Sequence, residues 1–145
     1  MRTAFCALLV IGIIAITGCG PSAPDGGFGE SDFVELMDSI DLNASDNTSL
    51  NVKTRWAEVE GKGVAWEGEV VDIKGGRGGR VEIYVKKEGK PLHRGYNVIV
   101  TSYDEAKAGK LKKGNEVTFK GLISRKSQRS NGPLVIYIDN AEILD

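Results

Sequence analysis

The stretch VAWEGEVVDIK, residues 64–74, sets the period of this chain. Apolar or small residues fall at Val64, Trp66, Gly68 and Val70, and then the phase slips to Val71 and Ile73. A repeat of two belongs to a strand with one buried face. A slip beside a glycine inside a strand predicts a bulge or a sharp bend. The alternation returns downstream. RVEIYVKK puts Val81, Ile83 and Val85 on one face and Arg80, Glu82, Tyr84 and Lys86 on the other. YNVIVTS reads as a third strand. NEVTFKGLISRKS reads as a fourth, with Val117, Phe119, Gly121 and Ile123 in phase, and PLVIYIDNAEIL as a fifth, with Leu134, Ile136 and Ile138 in phase. Between the third and fourth, DEAKAGKL is a short run of good helix formers around Ala106 and Ala108.

The order is therefore β-β-β-α-β-β. Five short strands cannot bury a core as a flat sheet, and a sandwich would use more of them. The order and the bent first strand predict a mainly β, five-stranded Greek-key barrel of the OB-fold type over residues 61–145. A helical extension precedes it over 31–60. In SDFVELMDSI, Ser31 or Asp32 can cap a helix whose Phe33, Leu36, Met37 and Ile40 share one face. A second helix is expected from about Ser49 to Glu60, with Val52, Trp56 and Val59 on one side and Gly61 as its stop. The loop between them, LNASDNTS, contains two Asn-X-Ser/Thr acceptor patterns, which read as loop and cap chemistry.

The beginning of the chain has another logic. Arg2 precedes a nearly unbroken apolar run from Ala4 to Ile16, too short to span a bilayer comfortably. Ile16-Thr17-Gly18-Cys19 resembles the bacterial lipobox. That resemblance implies a signal peptide over 1–18, cleavage before Cys19, a diacylglycerol thioether on its sulfur, and subsequent N-acylation such as palmitoylation. Cys6 would leave with the leader, so no thiol would remain for a disulfide, a metal or a nucleophile. With Gly20 rather than Asp after the lipidated cysteine, the expected address is the cell envelope, at the outer membrane where there are two membranes. Residues 19–30 would be the lipidated cysteine and a flexible Gly/Pro/Ser tether.

EGKGVAWEGEVVDIK, YNVIVTS, LKKGNEVTFKGLIS and IYIDNAEIL resemble the tRNA-anticodon-binding-like OB-fold family of bacterial lipoproteins, across about residues 48–145. The resemblance implies the fold. The family's name reflects likeness to nucleic-acid-binding domains and carries no defined activity with it.

Charge is unevenly spread. Residues 20–60 hold two cations against nine acids, and residues 61–145 hold sixteen against eleven. Two loops of the expected barrel are basic and lack acids: KGGRGGR at 74–80, and SRKSQRSNG at 124–132. Lys74, Arg77, Arg80, Arg125, Lys126 and Arg129 would then flank the usual OB binding face, with Tyr84 on the adjacent wall and Tyr96 and Tyr137 as further aromatic partners. Two readings of the glycine-rich stretch stand side by side, a mobile hairpin tip and an anion-contacting loop. A phosphate cradle of the P-loop kind would need GK followed by Ser or Thr, and a dinucleotide fingerprint would need a following helix. No cofactor is expected. The lone His93 sits in a turn, and neither a zinc cluster nor a nucleophile elbow is present, so the chain is read as a binding module and not an enzyme. The partners expected are a membrane, through the lipid, and an anionic polymer such as nucleic acid or polysaccharide. An envelope protein, or an oligosaccharide such as peptidoglycan, is the alternative.

Overall fold

The computed structural model describes residues 22–88 and 92–144. The leader, the lipobox and Cys19 lie outside the described residues. Five strands form the body: β1 (Gly63–Gly75), β2 (Val81–Lys86), β3 (Val98–Ser102), β4 (Glu116–Ser127) and β5 (Val135–Leu144). They close into a barrel in the order β1-β2-β3-β5-β4. β3 and β5 run parallel and every other pair is antiparallel. This is the OB-fold.

The strands form where period two predicts them. Val64, Trp66, Val70, Ile83, Val85, Phe119, Ile123, Ile136 and Ile138 are all at most 1% exposed and belong to one core. Gly68 falls in phase with them because its inward side has no room: an added Cβ would lie 2.5 Å from Val85 Cγ1. The phase slip in β1 is a bulge between Val70 and Asp72.

Among the described residues, three α-helices decorate the barrel: α1 (Phe33–Ile40), α2 (Ser49–Val59) and α3 (Glu105–Ala108). Phe33, Leu36, Met37 and Ile40 of α1 are buried in the barrel's core while Val34 faces out, and Phe33 meets Trp66 edge to face at 5.0 Å. Each such side chain contributes ~1.5–3 kcal/mol on full burial. The intervening polar loop closes both helices. Asn47 Nδ2 donates to the Asp38 and Asp41 carbonyls at the end of α1. Thr48 and Asn51 form a reciprocal capping box at the start of α2. Among the described residues, no helix is long and apolar enough to cross a membrane.

Residues 24–30, expected to be a free tether, lie against the barrel. β2 ends at Lys86, opposite Glu69, so the first half of β1 has no partner on that edge. Its backbone groups still need hydrogen bonds. Phe28 supplies them: its N–H donates to the Gly63 carbonyl (2.8 Å), and its carbonyl accepts from Ala65 N–H (3.1 Å). Trp66 Nε1 then donates to the Gly29 carbonyl (2.8 Å), and Glu67 N–H to the Glu30 carboxylate (2.8 Å). Lys87, only 5% exposed, donates its ammonium to Glu30 and to the Glu67 carbonyl, with Phe33 and Trp66 ring faces beside it. Of the three glycines in this segment, Gly27 serves close approach, since a Cβ there would overlap the Gly63 carbonyl.

Candidate polyanion-binding face

Between the inward residues of each strand lies an outward row in register across the barrel. Asp72 on β1 faces Tyr84 on β2, Tyr84 faces Ile99 on β3, Ile99 faces Tyr137 on β5, and Tyr137 faces Arg125 on β4. Ile99 is 5% exposed, although its neighbours Val98 and Val100 are the residues in phase with the core. Its register partners Tyr84 and Tyr137 flank it.

A tight turn adds a third aromatic. His93 and Tyr96 exchange backbone hydrogen bonds (2.7 and 3.1 Å), and the two residues between them, Arg94 and Gly95, both have positive φ (51° and 89°). Positive φ at both central positions is what a type I′ hairpin turn requires. The turn sets the Tyr96 ring edge-on to Tyr84 at 4.8 Å and to His93 at 5.5 Å.

Cations stand on these rings. Lys74 Nζ is 4.5 Å above the centre of Tyr84, and the Arg125 guanidinium is 3.8 Å above Tyr137. A cation over an aromatic face is held by the ring quadrupole and keeps much of its charge available. The Tyr84 hydroxyl donates to Glu82 (2.9 Å). Burial first, and then that carboxylate, push the Tyr84 phenol up to about 12. Burial also raises Tyr96, with Tyr137 adding to the effect. Asp72 is held below the ordinary carboxylate range by the hydrogen bond from Lys113, a 2.7 Å ion pair.

The seven residues expected to form the site are not all on this face. Lys74, Tyr84 and Arg125 are. Arg129 is exposed in the β4–β5 loop and lines a hollow beside Tyr137. Arg77 is exposed at the tip of the β1–β2 turn, and Arg80 just after it is paired with Glu82 at 2.7 Å. The two basic loops do not converge. The β1–β2 turn leads into Val81, opposite Ser102 at the end of β3. The β4–β5 loop enters β5, where Ile136 N–H donates to Asn97, just before β3 starts. The loops therefore bracket the tyrosine row from opposite ends of β3.

Arg125 and Lys126, which the sequence offers both to the end of the fourth strand and to the 124–132 loop, lie on β4. A bulge between Ile123 and Arg125 turns Arg125 out, opposite Tyr137, and Lys126 in, opposite Ile136. The Lys126 ammonium donates to the Ile40 carbonyl at the end of α1 (3.0 Å) and lies 5.7 Å from the Trp56 ring centre, and burial lowers its pKa. A cation at a helix C-terminus is well placed against the macrodipole, so Lys126 belongs to the seam between barrel and helix. Arg94 and Lys113, which reading of the sequence did not assign to the face, line it beside Lys74. The sequence leaves the facing of Tyr137 and Tyr96 open; for Tyr137 the signal is its place between Ile136 and Ile138, while Arg94 and Tyr96 give no periodic signal because a two-residue turn positions them.

Elsewhere, a concavity of about 350 Å³ beside Lys87 is lined by Glu30, Glu67, Glu69, Glu88 and Glu116 with only Lys86 and Lys87 in opposition. Its charge is net negative, opposite in sign to the cations on the tyrosine face.

No family model matches the chain, and no curated protein matches it in sequence. Solved structures of similar fold include a candidate nucleic acid-binding lipoprotein of Klebsiella pneumoniae (21% identity over 67% of this chain and 82% of that one, TM-score 0.47). Asparaginyl-tRNA synthetase of Pyrococcus horikoshii is similar over 60% of this chain at 19% identity (TM-score 0.42), and the match spans only 20% of the synthetase. An OBody bound to hen egg-white lysozyme matches 61% of this chain and 84% of its own length at 21% identity (TM-score 0.41). At these identities the likeness is one of fold, and what those proteins bind is theirs.

Proposed function

We propose that this chain is a lipid-anchored, extracytoplasmic binding module, without catalytic activity, whose tyrosine face engages a single-stranded anionic polymer. One observation carries the reading. Lys74 and Arg125 stand over Tyr84 and Tyr137 in a single cross-barrel row, so charge and flat apolar surface are offered together. Backbone anions meet the cations, and bases or sugars meet the rings. The Tyr84 phenol, pushed up to about 12, adds no opposing charge at physiological pH.

The test is titration of labelled single-stranded DNA, and of a sulfated polysaccharide, across a range of salt. Contacts from Lys74, Arg94, Arg125 and Arg129 predict a log–log salt slope of about −2.8, from ~0.7 per neutralised phosphate. Changing these four to glutamine should flatten the slope and weaken binding while the melting temperature stays near the parent's. Absence of binding to either polymer at low ionic strength would end this reading. Capture of one specific protein in its place would favour an envelope-interaction role.

A further inference from the structure

The tyrosine face is not one surface but two hollows that share Tyr96 as a wall. On one side, about 150 Å³ is bounded by Tyr96, Tyr137, His93, Pro133 and Val135, with Arg129 as its full cation. On the other, about 450 Å³ is bounded by Lys74, Arg94 and Lys113 together with Tyr84 and Tyr96, and its one acid, Asp72, is tied to Lys113. The first hollow divides its lining about evenly between polar and apolar surface and is walled by the Tyr96 and Tyr137 rings. The second is mostly positive charge.

A sulfated or uronic polysaccharide presents anions along its length but no π-face. A nucleotide presents a flat ring and a phosphate about one sugar apart. We propose, resting on the polyanion reading of this face, that Tyr96 separates a base subsite from a phosphate subsite and that the ligand is a nucleotide or a short single strand.

Two features fit a preformed site. The Tyr96 wall is fixed by the His93–Tyr96 backbone pair and by its edge contact with Tyr84. The far wall of the base subsite, the β4–β5 loop, is braced from outside: Asn43 Nδ2 donates to the Gly132 carbonyl (2.8 Å), and Asn131 N–H donates to Asn43 Oδ1 (3.2 Å). Leu42 N–H reaches Gln128 in the same loop (3.0 Å). Walls that are already ordered spare the ordering cost on binding.

The experiment compares hexathymidylate with an abasic deoxyribose-phosphate hexamer of equal charge, both titrated against the full-length chain in detergent at low salt. The expected result is tighter binding of hexathymidylate. Tyr137→Leu and Tyr96→Leu keep apolar cover but remove the ring. Each should weaken hexathymidylate about fivefold to 140-fold, the loss of one stacking partner at ~1–3 kcal/mol, and leave the abasic hexamer unchanged. Lys74→Gln with Arg94→Gln should weaken both hexamers alike. Tyr96 lies in a surface turn, so its variant keeps the test valid if Tyr137→Leu fails to fold. Equal binding of the two hexamers, with no effect of either leucine variant, would overturn the base subsite while leaving a polyanion surface in place. If neither hexamer binds and the sulfated polysaccharide does, the nucleotide assignment fails alone; if nothing binds, both readings fail.

Discussion

The phenol of Tyr84 and the ammonium of Lys126 are both perturbed by burial, and they move stability in opposite directions with pH. Tyr84 is raised to about 12, against an ordinary value near 10. Below about pH 10 both folded and unfolded chains keep the proton, and the contribution of this group to stability is fully present. As pH rises through that window and past the folded value, the unfolded chain gives up the proton more readily, and the contribution is lost. Lys126 is lowered from 10.5 because the folded state disfavours its charge. Its penalty is present below the lowered value and is relieved as pH rises toward 10.5. Tyr84→Phe isolates the first effect. It should remove the last of the phenolate absorbance steps among the four tyrosines, and it should reduce the alkaline loss of stability between about pH 10 and 12, measured by urea unfolding at stepped pH. An unchanged final phenolate step in the variant would mean that another tyrosine titrates last.

At the scale of elements, the barrel was legible because β2, β4 and the first halves of β1 and β5 present core residues at period two, and Gly68 and Gly121 fall in phase with them. The helical front was equally legible from Phe33, Leu36, Met37 and Ile40. What was not legible is phase. The bulge at Ser124 sits among Ile123, Ser124 and Arg125, with no glycine or proline to announce it, and it sends two neighbouring cations to opposite sides of the sheet. The same gap hid the role of residues 24–30. Their composition is that of a linker, and only the missing stretch of β2 beside Gly63–Gly68 creates a place for them. One consequence concerns α1. Its apolar face completes the core, so it is part of the domain and not an ornament on it. Leu36→Ala should cost about 2–5 kcal/mol, the range for large-to-small changes in a packed core, read as a lower urea midpoint with an unchanged slope. A fragment beginning at Ser49 loses all four side chains, which together rival the ~5–15 kcal/mol that holds a whole domain, and it should lose its cooperative transition. A fragment that melts like the parent would show that the barrel core closes without the helix.

At the scale of the whole molecule, the docked arm decides how far the barrel can stand from whatever holds its front end. With Cys19 as the proposed anchor, only four residues separate it from Pro24, the first residue of the segment docked on the barrel, a reach of five residue steps. Fully extended chain spans at most ~3.3–3.6 Å per residue, so the barrel would be held within about 17 Å of the attachment point. Undocked, the chain would run free from Cys19 to Phe33, the first residue of α1, and the limit would rise to about 48 Å. The arm's hold rests on a few groups: Glu30 on Lys87, the Trp66 indole on Gly29, and Phe28 on the edge of β1. Glu30→Ala with Phe28→Pro removes two of them, since proline lacks the N–H that reaches the Gly63 carbonyl, and changes no residue of the barrel strands. A dye on Tyr103→Cys, which is 61% exposed in the parent residue, would report the distance by energy transfer to acceptors in vesicles carrying the lipidated protein. Transfer should be strong in the parent and fall in the double variant. Cys19→Ala should leave the protein off the vesicles altogether. Equal transfer in parent and double variant would mean that the anchor, not the docked arm, sets the distance, and the contacts of residues 24–30 would then serve the edge of β1 alone.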